Sequence, residues 1–245
     1  TRARMKSLLV FPGSLLYTLL FFLSVLILGS FVLLPSPIIK EKNRWQILSF
    51  FSRSNFYLCR VLCGLSYEAA GLENIPKKPC VVFLKHASVY EAFFALSLFQ
   101  PSSFVSKYEL MFVPILRGAL KALRCIPVKR GLGKKEVDKV LAQGERCLKD
   151  GRWIVVCPEG TRVPYGETKR YGLSGALLAK AVGSDVLPIA HNAGYYWGRR
   201  SLIKKPGMIT FSVGKPIETN NKNAQEINNA AQSWIEEEIS KMTIK

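Results

Sequence analysis

The sequence predicts an α/β domain with a mixed or largely parallel sheet flanked by helices, preceded by an N-terminal helical membrane-anchoring segment. Two observations lead to this prediction. Short apolar runs alternate with helical stretches over most of the chain. An uncharged run near the start is long enough to cross a bilayer. We therefore expect the N-terminal membrane segment at residues 1–66 and the α/β domain at residues 67–245.

The uncharged run covers residues 14–34 and is rich in Leu, Phe, Val and Ile. A helix over these residues would be ~31 Å long at ~1.5 Å per residue, which is enough to span a bilayer. A cleaved signal peptide is the weaker alternative, because its apolar region usually has only ~7–15 residues and a small-residue cleavage site follows it. Basic residues flank both ends of the run, so the sequence allows a helix that spans or one that re-enters.

A second helical pattern follows Pro35 and Pro37, which interrupt the first. Its apolar residues fall on one helical face, and two arginines share another; they are Leu48, Phe51, Leu58, Leu62 and Leu65, and Arg53 and Arg60. The pattern is typical of a basic amphipathic helix at a membrane interface. An ordinary helix that packs on the core would have the same pattern.

Six apolar runs predict the strands of the domain, at residues 80–84, 103–106, 125–128, 153–157, 186–190 and 208–213. Helical stretches lie between most of them, and one with apolar residues over 137–148 ends before Gly151. A last helix near the C-terminus is expected to turn Glu236, Glu237 and Glu238 mostly outward.

The charge of the chain is strongly positive, since it has 35 Lys and Arg and only 17 Asp and Glu, which gives a formal charge of +18. This excess favours polyanionic partners such as anionic membrane lipid or nucleic acid, although a solubilising surface would explain it equally well. Nucleic acid is not expected as a partner, because no aromatic and basic recognition motif is present. Six cysteines without C-x-x-C spacing, and only two histidines, predict reduced core thiols and no metal site.

The first candidate site lies in residues 83–91, where His86 follows a predicted strand and Glu91 stands where the next helix should begin. Five residues turn a regular helix by about 500°, so the two side chains can meet only if His86 lies on the loop before the helix. A carboxylate on one ring nitrogen fixes the tautomer and leaves the other nitrogen free to accept a proton. The alternative is a buried structural histidine and a carboxylate that interacts with the helix dipole.

The second candidate site follows the run at 153–157, in the sequence C-P-E-G-T-R. Gly160 permits a tight turn, which would present Glu159, Thr161 and Arg162 together at a strand end. The carboxylate suits a hydroxyl group and the guanidinium suits a phosphate. A plain turn with a surface ion pair is the alternative.

Together the two sites resemble the motifs of the glycerolipid acyltransferase family, H-x-x-x-x-D/E and F-P-E-G-T-R. Two further motifs lie in the family's order: residues 124–130 resemble G-x-I-x-I-x-R, and residues 187–190 resemble V-P-I/V-A. The resemblance covers most of the chain and is greatest to bacterial members that act on 1-acyl-sn-glycerol-3-phosphate. The departures are Glu91 for the commoner Asp, Lys85 for Asn, Arg124 for Gly and Cys157 for Phe.

The resemblance implies transfer of an acyl chain from acyl-CoA or acyl-ACP to the free sn-2 hydroxyl of lysophosphatidic acid. The product would be phosphatidic acid, in phospholipid biosynthesis, and no cofactor would be needed beyond the thioester co-substrate. His86 would act as general base and Glu91 would stabilise the imidazolium that forms, without an acyl-enzyme. Another lyso-lipid or glycerol 3-phosphate as acceptor, or a non-catalytic cationic membrane-binding module, are the alternatives.

The resemblance also implies a set of substrate-binding residues. Some are charged and the others lie in the C-P-E-G-T-R turn; they are Lys107, Arg130, Glu159, Gly160, Thr161 and Arg162. Arg130 is expected to contact the phosphate of the acceptor, with Lys107 and Arg162 in support. The expected partners are lysophosphatidic acid, acyl-CoA or acyl carrier protein, and anionic membrane lipid. The expected location is the bacterial cytoplasmic (inner) membrane, with the active site facing the cytoplasm.

Overall fold

The computed structural model describes residues 2–33, 38–129 and 133–244. Within these residues the strands are β1 Leu65–Ala70, β2 Val81–Leu84, β3 Ser102–Lys107, β4 Ile126–Val128, β5 Trp153–Val156, β6 Val186–His191 and β7 Gly207–Val213. The helices are α1 Arg2–Leu33, α2 Glu41–Cys63, α3 Tyr90–Leu98, α4 Pro114–Ala122, α5 Gly133–Lys149, α6 Ser174–Ala181, α7 Ala193–Tyr196 and α8 Ala224–Lys241.

The strands of the described residues form one sheet in the order β1-β7-β6-β2-β5-β3-β4. The β6–β7 pair is antiparallel and the other pairs are parallel, which confirms the predicted mixed, largely parallel sheet flanked by helices. All six predicted strands are present. Strand β1 was missed, because its mixed sequence L-S-Y-E-A-A follows directly on a helical pattern.

Strand β2 is the centre of the molecule, since all four of its residues are buried. One face of the sheet is covered by α2 and α3, with Cys59, Tyr90 and Phe93 in the core. The other face is covered by α5, α6 and α8. A strand buried on both faces has a continuous apolar run, which explains the V-V-F-L sequence of β2.

Helix α2 covers most of the second helical pattern, but it ends at Cys63, two residues before Leu65, the last predicted position. Gly64 adopts a left-handed conformation with φ 64° and its amide donates to the Arg60 carbonyl, so Leu65 begins β1 instead. Trp45 and Cys59 are buried, while Phe50 and Tyr57 are more than half exposed. The helix therefore packs on the core and also presents apolar side chains to its surroundings.

Helix α1 contains the apolar stretch Val10–Val32, which by length and composition could cross a membrane. One side of this stretch is buried: Tyr17 donates to Asn55 of α2 at 3.0 Å and its ring meets Trp197 edge-on at 5.5 Å. The other side is exposed, with Leu19 and Phe22 about 60% accessible. The division between residues 1–66 and 67–245 stays a prediction, although α1 packs directly on the rest of the described chain.

The close packing of α1 depends on one glycine, Gly13, and on one buried lysine, Lys204. A side chain on Gly13 would lie 1.9 Å from the Leu62 carbonyl oxygen, so only glycine lets α1 and α2 approach to this distance. The buried Lys204 ammonium donates to the Ser14 and Leu202 carbonyls, at 3.3 and 2.8 Å, and to the Thr18 hydroxyl. Lys204 thus joins the loop before β7 to the first half of α1.

We expect Lys204→Met to lower the melting temperature, because the buried Ser14 carbonyl and the partly buried Leu202 carbonyl lose their charged donor. The loss of stability should be about 1–3 kcal/mol, which corresponds to a fall of roughly 2–12 °C for a chain of this size. Circular dichroism in detergent measures the transition. Lys205→Met is the matched control, since Lys205 is exposed; equal melting temperatures for the two variants would contradict the role of Lys204.

Candidate active site

The loop between β2 and α3 holds His86, as the spacing of the first motif requires. Lys85 donates its amide to the Ile189 carbonyl of β6 at 3.1 Å, and the His86 carbonyl accepts from the Val163 amide at 2.8 Å. Both flanks of the loop are therefore fixed to neighbouring segments. The position agrees with the rule that functional loops of α/β sheets gather at the carboxyl ends of the strands.

Glu91 lies in the first turn of α3 and turns back toward this loop. Its carboxylate accepts from His86 Nδ1 at 2.6 Å, from the Ala87 amide at 3.1 Å and from the Ser88 amide at 2.6 Å. The carboxylate is 2% exposed and the imidazole 26% exposed. With Nδ1–H donating to Glu91, the Nε2 atom of His86 is left as the proton acceptor.

His191 lies behind the same carboxylate, with Nε2 3.3 Å from Glu91 Oε2. Its Nε2–H donates to the Lys85 carbonyl at 2.8 Å, and its Nδ1 accepts from the Ala193 amide at 3.2 Å. Both ring nitrogens are thus occupied by the protein, and burial lowers the pKa of His191, so it stays neutral. This geometry suits support of the loop and not proton transfer with a substrate.

The pKa of His86 is the result of opposing effects. Burial lowers it, but the hydrogen bond and the negative charge of the Glu91 carboxylate raise it, and the pKa lies above its ordinary value. Burial raises the pKa of the Cys157 thiol, and His86 lowers it less, so the thiol is protonated at neutral pH. The site therefore favours the imidazolium form of His86, which is the form that a general base reaches during the reaction.

The second motif joins the first because β2 and β5 are parallel neighbours, with Phe83 opposite Val156. The C-P-E-G-T-R turn therefore leaves the sheet beside the His86 loop. Gly160 has φ 69°, a left-handed conformation that favours glycine, and its amide donates to the Cys157 carbonyl at 2.9 Å. The turn directs Glu159 toward the His86 amide, which donates to its Oε1 at 3.4 Å.

The Glu159 side chain is completely buried and has Lys85 Nζ 3.5 Å from Oε1. Its second oxygen has no hydrogen-bond partner among the described residues. Burial raises the pKa of Glu159 to about 7, although Lys85 and the His86 amide act against this. A buried carboxyl that is half ionised near neutral pH, with one free oxygen, is equipped to bind a hydroxyl group.

The remaining predicted residues are placed less centrally. Thr161 and Arg162 follow Glu159 in the same turn and are partly buried, and Arg162 Nε has no partner among the described residues. Lys107 ends β3, two strands from His86 in the sheet, and its half-exposed ammonium lies 3.5 Å from Glu109. Arg130 lies outside the described residues. The substrate-binding roles of all these residues stay predictions.

Sequence reasoning missed two members of this cluster, Lys85 and Glu236. Lys85 was noted only as a departure from asparagine, yet its ammonium lies 2.5 Å from Glu236 of α8. The expectation that Glu236 points outward is wrong, because its side chain is only 21% exposed and turns toward β2. No signal in the sequence marked this inward side chain, because Glu236 stands in a run of three glutamates.

The site combines a histidine and carboxylate pair with a buried glutamate at the ends of adjacent parallel strands, which suits deprotonation of an alcohol. The family model named Acyltransferase matches residues 66–192, just over half of the chain and including both motifs. The chain therefore belongs to the acyltransferase family, and it is an acyltransferase.

The names of two relatives are more specific than the name of the family. The chain is 36% identical over 234 residues to the 1-acyl-sn-glycerol-3-phosphate acyltransferase of Pseudomonas aeruginosa, covering 94% of this chain and 91% of that protein. It is 25% identical over 185 residues to the Saccharomyces cerevisiae protein of the same name, covering 74% of this chain and 61% of that one.

A solved structure shares the fold. The crystal structure of the 1-acyl-sn-glycerophosphate (LPA) acyltransferase PlsC from Thermotoga maritima matches with a TM-score of 0.77 and 20% sequence identity. The match covers 95% of this chain and 98% of that chain, so it extends to the N-terminal helices as well as the sheet.

We expect kcat/KM to rise with pH through the pKa of His86, because the base must be neutral to accept a proton. That pKa is raised, so the rise should be centred above the ordinary value near 6.5. Glu91→Gln removes the charge that favours the imidazolium, and the rise should move to lower pH while the maximal rate falls. Initial rates measured across pH for the parent and the variant check this; an unmoved midpoint would argue against the pairing.

Proposed function

We propose that the chain transfers an acyl group from an acyl thioester to the free sn-2 hydroxyl of 1-acyl-sn-glycerol-3-phosphate. The product is phosphatidic acid, in phospholipid biosynthesis. The observation that carries this proposal is the 2.6 Å contact between His86 and Glu91 beside the buried Glu159. The names of the Pseudomonas and yeast relatives support the acceptor.

The chemistry follows from the Nε2 atom of His86, the ring nitrogen that does not bond Glu91. This atom removes the proton of the acceptor hydroxyl while the oxygen attacks the thioester carbonyl, and Glu91 stabilises the imidazolium. The C–S bond then breaks, and the imidazolium returns the proton to the departing thiolate. The thioester is already activated, so a direct transfer needs no covalent enzyme intermediate.

Two buried atoms without a hydrogen-bond partner among the described residues, one of Glu159 and one of Arg162, are the basis for binding the acceptor. The free oxygen of Glu159 accepts a hydrogen bond from a hydroxyl of the glycerol backbone. The guanidinium of Arg162, whose Nε is buried and unpaired among the described residues, binds the phosphate. Gly160 gives the turn its shape, Thr161 adds a hydroxyl, and Lys107 and Arg130 add positive charge.

The apolar surface of the two N-terminal helices supports a site of action at a membrane. Leu19 and Phe22 of α1 and Phe50 of α2 are each about 60% exposed, although all three are large and apolar. We place the enzyme at the bacterial cytoplasmic (inner) membrane with its active site toward the cytoplasm. There the charge of +18 favours anionic lipid, and acyl-CoA or acyl carrier protein supplies the acyl chain.

The acyl transfer should depend on both the acceptor and His86. With acyl-CoA as donor, we expect the purified enzyme to release free thiol when 1-acyl-sn-glycerol-3-phosphate is added. His86→Ala should lower the rate by about 100- to 10,000-fold, the contribution of a general base. Thiol release and phosphatidic acid formation are measured together, with circular dichroism to establish that the variant is folded.

Glycerol 3-phosphate and other lyso-lipids are supplied as separate acceptors, each with acyl-CoA and with acyl-ACP. A higher kcat/KM with one of them would replace the proposed acceptor. The absence of thiol release with every combination would favour the non-catalytic membrane module, and full turnover by folded His86→Ala would overturn the mechanism.

Direct transfer also predicts a mild effect of Cys157→Ala. Cys157 interacts with His86, so an acyl-cysteine intermediate is the specific alternative, but burial keeps the thiol protonated and weakly nucleophilic. We expect kcat of the variant to stay within about threefold of the parent, far from the loss on removing a nucleophile. Mass spectrometry of enzyme quenched during turnover should find no acyl group on Cys157; an acylated cysteine would establish the covalent route.

A further inference from the structure

Helix α8 follows the part of the chain that the family model matches, yet it contacts both loops of the candidate site. Three of its polar residues, Asn228, Gln232 and Glu236, are spaced four apart and so lie on one side of the helix. We call them the α8 polar stripe.

The first two residues of the α8 polar stripe hold the segment that follows the C-P-E-G-T-R turn. Asn228 Nδ2 donates to the Tyr171 and Gly172 carbonyls at 3.4 and 3.2 Å. Gln232 accepts from the Tyr171 amide at 3.4 Å and donates to the Lys169 carbonyl at 3.3 Å. This segment is therefore fixed on α8, and the Gly172 amide joins it to the C-P-E-G-T-R turn by donating to the Pro158 carbonyl at 2.8 Å.

The third residue, Glu236, bonds the ammonium of Lys85 at 2.5 Å. Lys85 has 5% of its side chain exposed, and its ammonium also lies 3.5 Å from the buried carboxylate of Glu159. One buried cation thus lies between two carboxylates and directly precedes His86 in the chain. A buried cation with one partner removed would be strongly unfavourable, so the arrangement holds only while all three groups are present.

We propose that Lys85 and Glu236 are positioning residues for the acyl transfer, because their ion pair holds the Glu159 carboxylate beside His86 and makes α8 a wall of the active site. The ion pair fixes the Lys85 ammonium at a distance where it attracts Glu159. Ionised Glu159 in turn accepts from the His86 amide and keeps one oxygen free for the acceptor. This inference rests on the role of Glu159 in the proposed function.

Removing the charge of Lys85 and removing the charge of Glu236 have opposite effects on the pKa values of the site. Loss of the Lys85 cation raises the pKa values of Glu159 and His86, whereas loss of the Glu236 anion lowers both. Other titratable groups around the ion pair are the same in both variants; they are Cys157, Tyr165, Glu167, Tyr171, His191 and Glu91. Opposite shifts of one activity profile would therefore identify charge balance, which a general loosening of the fold does not produce.

The experiment compares Lys85→Met, Glu236→Gln and the double variant with the parent enzyme. For each, kcat and the KM for the acceptor are measured across pH. The acidic limb of kcat/KM should move to higher pH in Lys85→Met and to lower pH in Glu236→Gln. In Lys85→Met we expect about a tenfold loss at pH 7, the factor for a shift of one pKa unit. The double variant should return the limb toward the parent position, since it removes both charges.

Glu237→Gln is the matched control, because Glu237 is the next residue of α8 and pairs with Lys241 at 2.8 Å on the exposed side. It should leave the profile unchanged. If Lys85→Met does not fold, Glu236→Gln decides, since its side chain is partly exposed and its substitution is nearly isosteric. A folded Glu236→Gln enzyme with the profile of the control would overturn the proposal.

Glu159→Gln separates this inference from the function on which it rests. If Glu159→Gln has the activity of the parent, the proposed role of Glu159 fails and the positioning role fails with it. If Glu159→Gln is impaired while Lys85→Met and Glu236→Gln match the control, only the positioning inference is wrong.

Discussion

The carboxylate of Glu91 is the interaction on which the rest of the site depends. It is buried and accepts from the His86 ring and from the amides of Ala87 and Ser88, so it closes the loop on the first turn of α3. Three donors satisfy an ionised group that would otherwise be very costly to bury. The same bonds that stabilise the loop also fix the tautomer of the imidazole, so the local fold and the proposed chemistry have one cause.

The parallel pairing of β2 and β5 brings the second motif beside the His86 loop that Glu91 holds. Because both strands run in the same direction, two segments more than 70 residues apart leave the sheet side by side, and Glu159 reaches the amide of His86. The third strand of this group, β6, delivers His191 behind Glu91. The order of the strands in the sheet thus brings the residues of the site together. The backbone segments that hold its charged groups are fixed by the packing of the core.

The sequence allowed the strands and the His86–Glu91 pair to be predicted because these depend on short-range patterns. Apolar runs marked six strands, and helical geometry required His86 to lie on a loop, as it does. The link from Lys85 to Glu236 could not be predicted, because it spans 151 residues and depends on how α8 packs across the sheet. Strand β1 was hidden for a similar reason, since its pairing with β7 depends on tertiary structure and its own sequence is mixed.

The contact between α1 and Lys204 has a consequence for the order in which the chain can acquire its structure. The Ser14 hydroxyl and the Lys204 amide that it binds are 190 residues apart, so α1 finds this partner in a segment that is synthesised long after it. During synthesis Ser14 and Tyr17 lack their contacts with Lys204 and Trp197 until the loop before β7 has emerged, although Tyr17 can already bond Asn55 of α2. Closing so long a loop makes this docking a late event in assembly.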